Sequence, residues 1–219
     1  LVGSEMCIRD RSAKVRERLS VQGARVSRPV LSSDGRHTAA GWKATQFIPG
    51  QVRGRIDETA QMALRLDAAI AEVPLPNGQR SDAFARAERA AWEETGEAYR
   101  PALLADVPLI PAHTALLTTT VYHGSNPPGI VDIVPSESPR PAGWTAALVI
   151  VDGLISQAVD DGICQRFSHV PGMPELLLRA VSYRRYVNDL HSESRSNTRS
   201  HIERVEQHLV SRASAILER

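Results

Sequence analysis

The run from Ala142 to Asp160 constrains this chain most. Read as a helix it is apolar nearly all round, with Trp144, Leu148, Val149, Ile150, Val151, Leu154, Ile155 and Val159 spread over its circumference. A helix of that kind has no face to give to water and has to be wrapped by other elements. Asp152 is the charge that interrupts it. Its longest uninterrupted apolar run, Ala146 to Val151, is far too short to cross a bilayer.

The sequence supplies amphipathic segments to do the wrapping. Ser12 to Ser20, with Glu17, reads as a short helix with a charged polar face. Asp57 to Val73 places Met62, Leu66, Ile70 and Val73 on one stripe, opens with two acids at its positive end and is stopped by Pro74 and Pro76. Ser81 is the expected cap of a helix in which Phe84, Ala87, Ala91 and Trp92 share a face. Between Glu97 and Ile110, Pro101 and Pro108 leave room for one short helix at most. A helix starting near Pro174 aligns Leu176, Ala180, Tyr183, Val187 and Leu190. After a Ser/Arg-rich loop, His191 to Ser200, the last helix runs from about His201 to Leu217.

Strand signals are fewer. Ala24 to Leu31 and Thr38 to Phe47 flank a turn at Ser33-Asp34-Gly35 and read as a hairpin. Leu116 to Tyr122, rich in Thr and Val, and Ile130 to Val134 flank Ser125-Asn126-Pro127-Pro128-Gly129 and read as a second. Asp132 stands in the middle of its apolar run. Burying it unpaired is expensive, so it faces solvent, pairs with a cation or binds a metal. His123 is expected in the turn, Asp160 and Asp161 in solvent, Cys164 as a small buried filler, and Arg184 and Arg185 on a solvated surface.

Leu1 to Arg11 resembles the translation of a transposase adapter used in sequencing-library preparation and is set aside from fold reasoning. That removes Cys7 and leaves Cys164 without an internal partner, the cysteine usage of a cytoplasmic chain. The net charge of +1 gives no electrostatic case for nucleic acid or an anionic membrane. The full sequence is 42% hydrophobic, and the remaining two hundred or so residues can form one good core, or one lobe plus part of another.

The order of these elements, together with SAKVRE (12–17), RPVLSSDGRHTAAGW (28–42), GIVDIVP (129–135), WTAALVIVDGL (144–154), Ala158-Val159-Asp160-Asp161-Gly162 and LLLRAVSYR (176–184), resembles an uncharacterised actinobacterial family described as possible kinases. More distantly, it resembles the aminoglycoside phosphotransferases. The resemblance implies an α+β, kinase-like (aminoglycoside phosphotransferase-like) fold whose amino-terminal portion is cut away. Residues 12–47 would be the remnant of a small β-containing lobe, and 48–219 a mainly helical large lobe with a central β-hairpin over 116–134.

The resemblance also implies site residues, with ATP and magnesium as cofactors and a nucleotide as partner. His113 falls at the family's catalytic-loop His and Thr114 at the following Gly. Ala115 stands where an Asp should position or deprotonate the accepting hydroxyl. Thr120 falls near the metal-binding Asn, and Asp132 matches the metal-binding Asp. Asp152 matches a buried acid that accepts hydrogen bonds from the catalytic-loop backbone, so His113 and Asp152 are structural. Gln46, Phe47 and Ile48 fall where backbone groups would meet an adenine edge. A methyl at 115 cannot take a proton, and general-base help is worth roughly 100- to 10,000-fold, or about 3 to 5.5 kcal/mol of barrier. Thr120 is a poorer magnesium ligand than Asn. The implied function is a kinase-like protein with a degraded catalytic loop and little or no phosphoryl transfer, a nucleotide-responsive pseudokinase. The alternatives are a non-catalytic interaction module or a diverged fragment of an active small-molecule kinase.

Overall fold

The structure, a computed structural model, describes residues 12–73, 80–190 and 196–217. The adapter-like segment with Cys7, and Pro74 and Pro76, lie outside these residues. A helix over 12–18 (α1) leads into four two-residue strands: β1 (Arg25–Val26), β2 (Pro29–Val30), β3 (Ala44–Thr45) and β4 (Gln51–Val52). Helices α2 (Ile56–Ile70) and α3 (Ala83–Glu93) follow, then a 3-10 turn at Pro101–Leu104 and β5 (Leu109–Ile110). The middle of the chain forms α4 (Leu116–Thr119), β6 (Thr120–Tyr122), β7 (Gly129–Ile130) and β8 (Arg140–Pro141). The rest is helical: α5 (Trp144–Ile155), α6 (Ile163–Arg166), α7 (Met173–Leu190) and α8 (Ser196–Leu217). The class is α+β, as expected.

α5 lies at the centre. It packs against α2, α4, α7 and α8, and its residues from Trp144 to Val151 are all buried. Each large apolar side chain removed from water there contributes about 1.5 to 3 kcal/mol. Trp144 meets the edge of Trp92 with ring centroids 5.1 Å apart and lies beside Tyr183, which ties α5 to α3 and α7. Gly153 sets the approach of α2: a Cβ there would come within 2.6 Å of the Ile56 side chain.

The main sheet has the order β1-β7-β6-β4, with β1 and β7 parallel and the other pairs antiparallel. β1 enters it through Arg25 N to Pro128 O and Ser27 N to Ile130 O, at 2.8 and 2.9 Å. Residues 12–47 therefore share a sheet with the later chain, and Val15, Leu19 and Val21 join the core that α5 organises. The expected first hairpin exists as β2 against β3, but Arg25 and Val26 leave it for the main sheet.

Other expectations are corrected. Leu116 to Tyr122 is not one strand: its first four residues form α4, because the hydroxyls of Thr118, Thr119 and Thr120 bond back to the Ala115 and Leu116 carbonyls. These local bonds override the β preference of the Thr run. Beyond Ile130 the second strand leaves the ladder. The cap of α3 is Asp82, whose carboxylate accepts from Ala85 N at 3.1 Å, not Ser81 beside it. Phe84 is 44% exposed and lies off the buried face formed by Ala87 and Ala91. The central helix ends at Ile155, and the last begins at Ser196 rather than His201.

Candidate functional site

The segment 112–119 runs beside 131–136. Ser136 N bonds to Ala112 O at 2.8 Å, Thr114 N to Val134 O at 2.9 Å and Val131 N to Thr119 O at 2.9 Å. The sequence-predicted loop and the Asp132 segment are thus brought together.

His113 locks the loop from inside. Its side chain is fully buried. Nδ1 lies 3.2 Å from the Val134 amide, 3.3 Å from the Ala115 amide and 3.3 Å from the Val134 carbonyl. Two donors against one acceptor assign Nδ1 as the bare nitrogen. Nε2–H then donates to Thr119 Oγ1 at 2.8 Å, and that hydroxyl donates to Ala115 O at 3.1 Å. Burial pushes the imidazole down to about 4, against the opposing pull of the Val134 carbonyl and the Asp132 charge. Both nitrogens of this enclosed ring are engaged within the chain.

Ala115 sits at the entry to α4 with φ −140° and ψ 33°, and its carbonyl receives the Thr118 and Thr119 hydroxyls. No proton acceptor is carried by its side chain. Thr120 is buried, and its hydroxyl donates to Leu116 O at 2.8 Å.

Asp132 is gripped on both oxygens. Lys43 Nζ meets Oδ2 at 2.7 Å. Oδ1 accepts from the Ser12 hydroxyl and from Ile133 N at 2.9 Å, with Arg16 Nη2 at 3.5 Å. Burial raises the carboxyl, but the hydrogen bonds from Lys43 and Ser12 and the charges of Lys43 and Arg16 outweigh it and hold it below the ordinary range. Arg16, wholly buried, is fixed by the Ser27 carbonyl at 2.9 Å and the Val131 carbonyl at 3.2 Å. Ser12, Arg16 and Lys43 lie 89 to 120 residues from Asp132 in sequence, and no local spacing marks them as its partners.

Asp152 was expected to accept from the loop backbone. Instead Arg184 takes both its oxygens, Nε to Oδ1 at 2.6 Å and Nη2 to Oδ2 at 2.7 Å, and Arg184 Nη2 also donates to Thr114 O at 3.2 Å. The acid reaches the loop through an arginine. Arg184 and Arg185 are therefore not a solvated surface: Arg185 pairs with Glu94 and Glu206. Asp160 and Asp161 are exposed and Cys164 is buried, as read from the sequence.

Gln46 and Phe47 are exposed and Ile48 is half-buried. Gln46 spends its amide on Arg28 O at 2.8 Å and its carbonyl on the Ser27 hydroxyl at 2.6 Å. Ile48 packs over Gly129, where a Cβ would come within 2.6 Å of Ile48 Cγ2.

A magnesium ion does not fit this arrangement as it stands. Both Asp132 oxygens face cations or donors, Thr120 gives its hydroxyl to a carbonyl, and no group of three His, Cys, Asp or Glu suited to a metal occurs among the described residues. Nor does Gln46 offer a free backbone edge to an adenine ring. Among the described residues no helix is long and apolar enough to cross a membrane. No family model, curated protein or solved structure matches the chain.

Proposed function

We propose that this chain is a phosphotransferase-like, kinase-like scaffold that does not transfer phosphate. In this reading Lys43 and Arg16 neutralise Asp132 where a divalent cation would otherwise do so. The observation that carries it is the pairing of Lys43 Nζ with Asp132 Oδ2 at 2.7 Å beside a loop whose position 115 is alanine. Phosphoryl transfer depends on positioning and on neutralising charge at the phosphates with metal ions. An acid already neutralised by the chain's own cations supplies neither, and His113 has no free nitrogen to substitute for the missing base.

The order of the elements and the resemblance of the quoted segments to the possible-kinase family are what the ancestry rests on. The link from Asp152 through Arg184 to the Thr114 carbonyl, which joins the central helix to the loop, supports it. The test is ATP turnover by the purified chain with magnesium, for wild type, Asp132→Ala and Ala115→Asp. The reading expects wild type to match the Asp132→Ala background. Magnesium-dependent turnover in wild type that Asp132→Ala abolishes would overturn it.

A further inference from the structure

A cavity of about 420 Å³ opens among α6, the first half of α7 and the second half of α8, and shares no residue with the grip on Asp132. Its size falls in the range of small-molecule pockets, and Met173, Leu177, Leu209 and Ala213 make its walls mainly apolar. Cys164 completes the wall. Burial pushes its thiol up, so at neutral pH it is a small uncharged surface and not a nucleophile. Arg212 brings a charge into this lining. It is half-buried on α8 and makes no hydrogen bond or ion pair among the described residues. Its charge is felt inside the cavity, where it acts on the Cys164 thiol against the effect of burial. A guanidinium offers five N–H donors in a planar fork, and here no carboxylate answers them.

The rest of the lining narrows what would answer it. Among the described residues no Asp, Glu, His or Lys lines this cavity. Asp161, whose charge also acts on the thiol, lines a neighbouring cavity and is 68% exposed beside His208. The Ser168 hydroxyl is spent on the Gln165 carbonyl at 2.8 Å, and Gln165 carries no charge. An ammonium would meet a guanidinium and no acid. An alcohol would leave the charge unanswered. A phosphate monoester would bring nearly two negative charges against one cation. A carboxylate brings one, and its two oxygens match the guanidinium fork. We propose that this cavity binds a small apolar monocarboxylate, with Arg212 donating to the carboxylate and the apolar body lying along Met173, Leu177 and Leu209. The proposal is independent of the phosphotransferase-like reading.

The test is calorimetric titration of the purified chain at neutral pH with octanoate and, separately, octanol, octylamine, octyl phosphate and acetate. Octanoate should bind at least about fivefold more tightly than octanol, the scale of a charge-assisted hydrogen bond to a half-buried group. Octylamine and octyl phosphate should bind more weakly than octanoate. Acetate lacks the apolar body and should bind at least about a hundredfold more weakly. Arg212→Met should remove the preference for octanoate over octanol, and Arg212→Glu should transfer it to octylamine. No binding of octanoate, equal affinities for octanoate and octanol or acetate, tighter binding of octyl phosphate, or a preference that survives Arg212→Met would each overturn the proposal. If Arg212→Glu does not fold, the wild-type comparisons and Arg212→Met decide it alone.

Discussion

Arg184 clasps Asp152 with two nitrogens, at 2.6 and 2.7 Å, and extends the same guanidinium to the Thr114 carbonyl at 3.2 Å. One side chain on α7 thereby neutralises the charge in the central helix and fastens the 113–119 loop above it. Arg184→Met should cost about 3 kcal/mol, because it leaves Asp152 unpaired in a largely buried position. Adding Asp152→Leu should recover much of that loss. Urea unfolding of the two single variants and the double checks this; additive losses would mean that the pair is not coupled.

His113 should shape the acid limb of the stability curve. Its native imidazole stays neutral down to about 4 because it is buried, whereas the unfolded chain takes up the proton near 6.5. Between those values the unfolded state binds more protons, so stability is lost as pH falls from about 6.5 to about 4, by about 3 kcal/mol in total. His113→Asn keeps an acceptor close to the Nδ1 position but loses the donor to Thr119. It should cost about 1 to 3 kcal/mol at neutral pH and flatten that limb. Unfolding free energies at a series of pH values check both; an unchanged limb would contradict the assignment.

Asp67 should act in the opposite direction. Burial pushes its carboxyl up to about 7, against the pull of the Gly143 amide and the Thr145 hydroxyl. The unfolded chain releases that proton near 3.9. Over this interval the native state holds the extra proton, so stability falls as pH rises from about 4 to about 7, by up to about 4 kcal/mol. Asp67→Asn should remove this slope and leave the protein at least as stable as wild type above neutral pH. The same pH series checks it, and a retained slope would assign the titration elsewhere.

What could be read in the sequence was periodic and local. The apolar circumference of 144–155 called for a central helix, and Met62, Leu66 and Ile70 marked the buried stripe of α2. Asp67 stands next to Leu66 on that helix, and only the structure shows that it is buried too. The pairing of the 113–120 loop with the Asp132 segment was legible because a turn-rich linker joins them. The grip on Asp132 was not, because Ser12, Arg16 and Lys43 come from the other end of the chain. Arg184 and Arg185 looked like surface for the same reason: charge in a helix says nothing about distant acids such as Asp152 and Glu94. The threonine run departs from its propensity for a local reason. Thr118 to Thr120 favour strands until their hydroxyls find the preceding carbonyls.

The pairing of Lys43 with Asp132 is tested most directly by unfolding wild type, Lys43→Met, Asp132→Asn and the double variant, each with and without millimolar magnesium and ATP. A bound ligand at a hundred times its Kd would stabilise by about 2.7 kcal/mol. The account predicts a Lys43–Asp132 coupling of about 1 kcal/mol and no stabilisation of wild type by magnesium and ATP. Magnesium-dependent stabilisation of wild type that disappears in Asp132→Asn, with no coupling between the two side chains, would contradict it.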